Sequence, residues 1–299
     1  MHNQIQHMGN INIDNAYTIA HSPDADDIFM YYAIKFGWIT TPYKLYNLAL
    51  DIETLNLACF EARYDISAIS FALYPFICNH YVLLQTGMSF GEQYGPKLIK
   101  KKGAKLKRNF KVALSGKYTT NAMIFRLTYP DAYPVYMNFL EIEEGVLNGV
   151  VDAGVLIHES ILNFSHELEV EAFIWDMWQD LAKEQLPLPL GGMALRRSIP
   201  LNRAIVLEKI LTKAIQIGLR YKPLLSKMLL DNHLVRVNAQ ELDTYLQLYA
   251  NEHSHTMSDI QIQALEKLYA IGYNAGFYPS LLKLQDHFIP KEYTNIRYS

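Results

Sequence analysis

Several features that define common protein classes are scarce in this sequence of 299 residues. It has only two cysteines, Cys59 and Cys78, and they lack the CxxC spacing of zinc or redox motifs. We expect both to be free thiols in a reducing compartment. No apolar run is long enough to cross a bilayer. Residues 1–15 contain neither Lys nor Arg nor an apolar segment, so we expect no secretory leader, no membrane partner and a cytoplasmic location.

An excess of positive charge is also missing. The net charge is -3 and the isoelectric point is near 6.4, which argues against nucleic acid as a partner. The dense basic stretch at residues 97–111 is typical of a solvated loop beside a strand. Gly116-Lys117 is followed by Tyr118 rather than Ser or Thr, so it is not a phosphate-binding loop. No dinucleotide fingerprint is present either.

An acidic cluster stands near the start of the chain, at Asp24, Asp26 and Asp27. Carboxylates of this kind can bind a divalent metal. They also suit the positive end of a helix, and the sequence offers no second acidic cluster of matching spacing. We therefore expect helix-start electrostatics here and predict no metal site.

Strand-like and helix-like stretches alternate along the chain, which indicates an α/β protein with mainly parallel sheets. We expect short strands at residues 17–20, 66–69, 112–114 and 153–157, each followed by a helix-like or polar segment. Ser22 suits a helix N-cap with Pro23 at the first helical position. Residues 71–81 read as one apolar helix, and residues from 200 onward are mostly helical.

This layout predicts two lobes with a cleft between them. The first lobe is discontinuous and comprises residues 1–105 and 200–299, and the second comprises residues 106–199. Crossing segments are expected near Gly95 to Lys102 and at the Pro-rich stretch from Leu186 to Gly192.

Polar residues follow several of the predicted strands. Because ligands in open α/β sheets bind outside the carboxyl ends of strands, these positions predict a small-molecule cleft. Three of them also open helices, whose unpaired amides suit carboxylates. Simple helix capping remains an alternative for each Ser or Thr taken singly. The positions are Ser22 after His21, Ser70, the run Thr119-Thr120-Asn121, and His158.

His158 has the most suggestive context of the ten histidines. It follows the apolar run from Gly154 to Ile157 and precedes Glu159. An imidazole at that strand end can accept a proton near neutral pH, which is the task of a general base. A structural histidine hydrogen-bonded at a strand end is the competing interpretation.

Taken together, the motifs resemble those of the 1,4-dihydroxy-6-naphthoate synthases of the futalosine route to menaquinone. The resemblance spans residues 21–192, and its first motif departs from the family, many of whose members read Ser-Pro-Cys-Pro-Asn-Asp. The motifs are His21-Ser22-Pro23-Asp24-Ala25-Asp26-Asp27-Ile28-Phe29, Asp65-Ile66-Ser67-Ala68-Ile69-Ser70, Gly116-Lys117-Tyr118-Thr119-Thr120, Asp152-Ala153-Gly154-Val155-Leu156-Ile157-His158-Glu159 and Leu186-Pro187-Leu188-Pro189-Leu190-Gly191-Gly192.

The resemblance implies a two-lobed fold like that of type II periplasmic binding proteins, used as an enzyme. It implies a lyase that converts cyclic dehypoxanthine futalosine into 1,4-dihydroxy-6-naphthoate, with His158 as the base and without a metal or redox cofactor. The family more often has a small residue where Asn121 stands. The substrate contacts implied for this chain lie at Ala68, Ile69, Ser70, Thr119, Thr120 and Asn121, and we add Ser22 and Gly191 to them.

Two other functions remain open at the level of sequence. Chorismate dehydratase belongs to a sister family in the same pathway and also performs an elimination on a carboxylated substrate. A solute-binding protein for a small carboxylate would share the fold but needs a leader and no base. The Leu156-Ile157-His158-Glu159 motif favours the synthase. For the oligomeric state, the sequence is compatible with a monomer and with a homodimer.

Overall fold

Two β-sheets, each covered by helices, make up the part of the chain that the structure describes. The structure is a computed structural model and describes residues 15–250 and 254–290. The expectations for the first fourteen residues lie outside this part. No helix in the described ranges is both long and apolar enough to cross a membrane.

The first sheet has a parallel core to which antiparallel strands are added. β1 (Ala16–His21) pairs in parallel with both β2 (Lys44–Ala49) and β3 (Ile66–Ser70). Strand β3 is fully buried, which suits its continuous apolar and small residues. The long strand β11 (Leu188–Arg196) runs antiparallel to β3, and β4 (Tyr81–Leu83) and β5 (Ser89–Gly91) pair antiparallel with β11.

The second sheet has the same plan. β7 (Lys111–Leu114) pairs in parallel with β8 (Tyr133–Tyr136) and with β9 (Ala153–Leu156). β6 (Lys97–Lys101) runs antiparallel to β9 and also to β10 (Leu168–Phe173). Strands β6 and β11 are the points where the chain passes between the two sheets.

Ten α-helices cover the sheets in the described ranges. Helix α1 packs on α7 and α9, α2 packs on β3, and α5 packs on β9, so each apolar face is buried against a neighbour. The helices are α1 (Ala25–Lys35), α2 (Ile52–Phe60), α3 (Tyr74–Ile77), α4 (Thr120–Thr128), α5 (Ile142–Leu147), α6 (Ile174–Ala182), α7 (Leu201–Arg220), α8 (Lys222–Asp231), α9 (Ala239–Tyr249) and α10 (Asp259–Asn274).

The alternation of short strands and helices predicted from the sequence is present, and the two-lobed α/β architecture is confirmed by the solved structures reported below. We call the first sheet with its helices the first lobe and the second sheet with its helices the second lobe. The boundaries drawn at residues 105 and 199 stay a prediction. Strand pairing places β6 in the second sheet and β11 in the first, so the crossings lie at these two strands.

Two local predictions differ from the structure. The single helix expected over residues 71–81 is a 3-10 segment (Phe71–Leu73) followed by the short helix α3. The chain leaves this helix early because Tyr81 begins strand β4, which pairs with β11. Helix α1 begins after Asp24 rather than after Ser22, so Pro23 precedes the helix.

Candidate active site

A cleft between the two lobes collects every residue that we predicted for the substrate site. Its empty volume is about 730 Å³, part of which is open solvent. Strand ends β3 and β11 and helices α1, α4 and α9 surround it. The predicted residues on its walls are Ser22, Ala68, Ile69, Ser70, Thr119, Thr120, Asn121, His158 and Gly191.

His158 stands just after β9 in the second lobe, and its main chain adopts a left-handed conformation with φ of +54°. A residue other than glycine in that region is strained, and such positions are often found at functional sites. The Phe139 ring packs edge-on against the imidazole, with 4.8 Å between ring centroids. The ring is thereby held on the wall of the cleft.

The imidazole Nδ1 contacts the Asp24 carboxylate, which belongs to the first lobe. A carboxylate can only accept hydrogen bonds, so Nδ1 of His158 carries the proton that it donates to Asp24. Nε2 of His158 is buried and has no hydrogen-bond partner among the described residues. The lone pair of a neutral imidazole in this tautomer lies on Nε2, which gives the cleft a proton acceptor.

Burial and charge act on this pair in opposite directions. Burial lowers the pKa of His158, but the adjoining Asp24, with Glu159 and Asp27 further away, outweighs it, so the pKa lies above its ordinary value. Burial raises the pKa of the Asp24 carboxyl, but the charge and hydrogen bond of His158 outweigh that and leave it lowered. Asp24 is therefore ionised and holds the imidazole by charge and hydrogen bond together.

Glu159 extends the contact between the lobes. Its carboxylate Oε1 accepts the amide proton of Ala25, the first residue of helix α1, at 2.8 Å. This acceptor replaces the cap expected from Ser22, and Asp24 makes no side-chain cap either. Oε2 of Glu159 lies 3.4 Å from the Arg236 guanidinium, which also lies over the Phe139 ring. The helix start is thus capped by a residue of the other lobe.

A second part of the cleft lining is formed by the end of β3 and the start of α4. Thr119 caps α4 with its hydroxyl, which accepts the amide proton of Ala122 at 3.2 Å. The Thr120 hydroxyl donates to the carbonyl of Leu190 at 2.9 Å and accepts the amide proton of Ala72 at 3.1 Å. These hydroxyls are occupied within the protein. The main-chain amides of Thr120 and Asn121 have no intrahelical acceptor and remain for a ligand.

Ser70 is fixed in the same part of the cleft lining by Asn56 of helix α2. The amide side chain of Asn56 donates to the Ser70 hydroxyl oxygen at 3.1 Å and accepts the Ser70 amide proton at 3.0 Å. The hydroxyl hydrogen of Ser70 is not used in these bonds. It can therefore be donated to an oxygen atom in the cleft.

Buried polar atoms without a protein partner are concentrated on this cleft. Buried polar groups in folded proteins are nearly always hydrogen-bonded, so a cluster of unpaired ones marks the place of a polar ligand. The cleft residues with such atoms, counting partners among the described residues only, are Ser22, Asp24, Asp26, Ser115, Asn121 and His158.

Sequence reasoning missed the partners of His158. Asp24 was assigned to helix-start electrostatics, and Tyr245 and Tyr249 of α9, which also line the cleft, were not considered. The spacing of the acidic cluster gave no signal for a contact with a residue more than a hundred positions away. His21, the residue before Ser22, is buried with Nδ1 2.8 Å from the Ser22 carbonyl and does not line the cleft. No group of three metal-binding side chains forms within the described residues.

Comparison with solved structures places the architecture among periplasmic binding proteins. The alkanesulfonate-binding protein SsuA from Xanthomonas axonopodis pv. citri is 12% identical, with a TM-score of 0.67 over 92% of this chain and 98% of that one. At such low identity the likeness concerns the fold alone. A crystal structure of a protein from Archaeoglobus fulgidus is 30% identical, with a TM-score of 0.81 over 88% of this chain and 98% of that one.

Comparison with sequences identifies the family. Two curated relatives named 1,4-dihydroxy-6-naphtoate synthase match most of the chain. The protein from Thermus thermophilus is 28% identical over 85% of this chain and 93% of its own. The protein from Streptomyces coelicolor is 27% identical over 88% of this chain and 95% of its own. The model of the menaquinone biosynthesis family matches residues 17–274, and the chain belongs to that family of enzymes.

Proposed function

We propose that the protein is a lyase that converts cyclic dehypoxanthine futalosine into 1,4-dihydroxy-6-naphthoate, with His158 as the general base. The observation that carries this proposal is the state of the His158 ring. Its Nδ1 is bound to Asp24, while Nε2 is left without a partner among the described residues, on the wall of the cleft. A solute-binding protein has no need of a base aimed at its ligand.

The reaction begins when Nε2 of neutral His158 removes a proton from a C–H bond of the bound substrate. Asp24 stabilises the imidazolium that forms, because the charge pair is buried and already in contact. Elimination and ring opening follow, the sugar-derived fragment leaves, and aromatisation of the naphthoate drives the reaction. General base catalysis of this kind contributes roughly 10²–10⁴-fold to the rate.

The substrate carboxylate is held at the start of α4 and the end of β3. The amides of Thr120 and Asn121 and the hydroxyl of Ser70 are donors, and the positive end of helix α4 favours an anion. Asp24 also lines the cleft, and its negative charge repels a carboxylate bound close to it. This separation of charge orients the substrate with its reacting carbon toward His158.

Contacts between the lobes keep water out of the cleft during the reaction. The Asp24–His158 and Ala25–Glu159 contacts join α1 to the end of β9, and Thr120 joins α4 to the carbonyl of Leu190 on β11. Closure of this kind also fixes the distance between the base and the C–H bond. The partner of the protein is thus a small carboxylated molecule.

The test is incubation of the purified protein with each candidate substrate. We expect release of 1,4-dihydroxy-6-naphthoate from cyclic dehypoxanthine futalosine and no conversion of chorismate. Conversion of chorismate, with no release of the naphthoate, would assign the protein to the dehydratase reaction. Tight binding without turnover of either compound would support a solute-binding role.

A further inference from the structure

Asp26 stands on the cleft wall without a role in the mechanism described so far. It lies in the first turn of α1, is only 4% exposed, and lines the cleft. Its Oδ1 has no hydrogen-bond partner among the described residues. A buried carboxyl oxygen without a protein partner is stabilised either by loss of the charge or by a ligand that bonds to it.

The surroundings of Asp26 disfavour its charged form. Asp24 directly precedes helix α1, Asp27 lies in its first turn, and Glu159 lies in the 3-10 segment His158–Ile161 of the second lobe. The pKa of Asp26 is raised well above its ordinary value. Burial is the largest cause, and repulsion by Asp24, Asp27 and Glu159 adds to it. Asp24 keeps its charge because His158 faces it, whereas burial also raises the pKa of Asp27 well above its ordinary value, so Asp26 and Asp27 are the carboxyls of this cluster that hold protons.

The other titratable groups near Asp26 add no positive charge that would reverse this. Tyr31 of α1, Tyr94, and Tyr245 and Tyr249 of α9 interact with it, and burial raises the pKa of each of these phenols, so all four are neutral. The guanidinium of Arg236 lies against Glu159 instead.

We propose that Asp26 is a neutral carboxylic acid whose hydroxyl donates a hydrogen bond to the oxygen of the substrate on which negative charge develops when His158 removes the proton. The inference rests on the proposed function of the same cleft. No covalent step is added: the electron pair of the broken C–H bond moves toward that oxygen, and the proton of Asp26 stays on Asp26. A donor fixed in a dry site before the reaction stabilises such charge without having to reorganise.

The first test measures protonation and needs no turnover. Infrared difference spectra of the wild type against Asp26→Asn should show the carbonyl stretch of a protonated carboxylic acid at neutral pH. Asp27→Asn serves as the control, because Asp27 is next to Asp26 and the band of Asp27 must be assigned separately from that of Asp26. A carboxylate band in place of the acid band would overturn the proposal.

The second test compares two replacements of similar size. Asp26→Asn keeps a neutral hydrogen-bond donor and Asp26→Leu removes it, so kcat for naphthoate release should be roughly 10²-fold lower in the Leu variant than in the Asn variant. Equal kcat values in the two variants would overturn the proposal. If the wild type releases no naphthoate, the proposed function itself has failed, whereas the infrared result still decides the state of Asp26.

Discussion

At the scale of single residues, the contact between Asp24 and His158 determines what the cleft can do. The carboxylate fixes the proton on Nδ1, which leaves Nε2 as the acceptor. Burial lowers the pKa of the imidazole, but Asp24 together with Glu159 and Asp27 outweighs burial, so the pKa lies above its ordinary value of 6.5. A base with these properties is active only after it has lost its second proton, so the rate must increase with pH across its pKa.

Asp24→Asn should lower kcat by roughly 10²–10⁴-fold, the range of general base catalysis. The amide can donate to Nδ1 and move the ring proton to Nε2, which removes the acceptor from the cleft. The measurement is kcat for naphthoate release, with Asp131→Asn, an exposed residue paired with Arg108, as the matched control. Unchanged kcat in Asp24→Asn would show that this pair does not prepare the base.

The pH profile gives a second prediction for the same pair. The acid limb of kcat/KM should lie above pH 6.5 in the wild type, because Asp24 stabilises the protonated imidazole. Removing the carboxylate leaves burial as the dominant effect, so the acid limb of the residual activity in Asp24→Asn should shift to lower pH. A limb that shifts upward or stays in place would mean that another group titrates.

The raised pKa of Asp26 makes the folding stability of the protein depend on pH. The folded-state pKa of this carboxyl is raised, so the native state holds a proton that the unfolded chain releases above its ordinary value of 3.8. Stability attributable to this residue is therefore lost as pH rises from that value toward the folded pKa. The Asn side chain of Asp26→Asn does not titrate and loses no stability in this way. We therefore expect the Tm of the variant minus the Tm of the wild type to increase from acidic to neutral pH. A Tm difference that is independent of pH would show that Asp26 is ionised in both states.

The residues of the site were predictable from the sequence only in part. His158, Ser70 and Thr119 to Asn121 follow apolar strands, and that local pattern predicted their place at the cleft. Their partners could not be predicted, because Asp24 and Glu159 become functional through contacts between segments about 134 residues apart in the chain. Only the packing of the two lobes creates those contacts.

At the scale of secondary structure, the turn before helix α4 is held by α2. Glu53 accepts the amide protons of Lys117 and Tyr118 at 2.8 and 3.3 Å, which fixes the helix start that faces the cleft. Gly116 lies beneath this carboxylate with φ of +151°, and a Cβ there would meet the Glu53 carboxylate at 2.3 Å. The glycine is therefore required both by its conformation and by the close approach of Glu53.

Gly116→Ala should destabilise the protein by roughly 1–3 kcal/mol, the usual cost of overpacking, and should raise KM because the α4 amides shift. Gly103→Ala is the matched control: its φ is +72°, but no atom of the described residues lies within 4 Å of the added methyl group. Thermal unfolding and KM measure the two effects. A similar loss in both variants would attribute the effect to backbone strain and not to the contact with Glu53.

Secondary structure was predicted well where capping and periodicity acted locally. The run from Thr119 to Asn121 opens α4 as expected, with Thr119 as its cap. The prediction failed for the start of α1, because the group that accepts its first amide proton comes from Glu159 in the other lobe. It failed again at residues 71–81, where pairing of β4 with β11 overrides local helix preference.

At the scale of the whole molecule, the lobes meet through residues that flank the base. Glu159 directly follows His158 in the chain. It accepts the Ala25 amide proton and lies beside Arg236. Hydrogen bonds to charged groups contribute about 1.5–3 kcal/mol each. Opening of the cleft must break these contacts and separate Asp24 from His158, so the His158 ring keeps its contact with Asp24 only when the lobes are together.

Glu159→Gln should increase the fraction of open molecules, because the acceptor of the α1 amide loses its charge. Small-angle X-ray scattering measures this as a larger radius of gyration, and kcat should fall in parallel. The control is Glu143→Gln: Glu143 accepts the Ser165 amide proton at 2.7 Å within the second lobe. Equal radii for the two variants would show that Glu159 does not hold the lobes together.

The proposed reaction depends on removal of a substrate proton by the imidazole of His158. Its most direct test is the single-turnover rate of naphthoate release by wild type and His158→Gln, with equal Tm values as proof of intact folding. We predict a rate at least roughly 10²-fold lower in the variant, with the substrate still bound. A folded variant that binds the substrate and releases naphthoate at the wild-type rate would contradict the account.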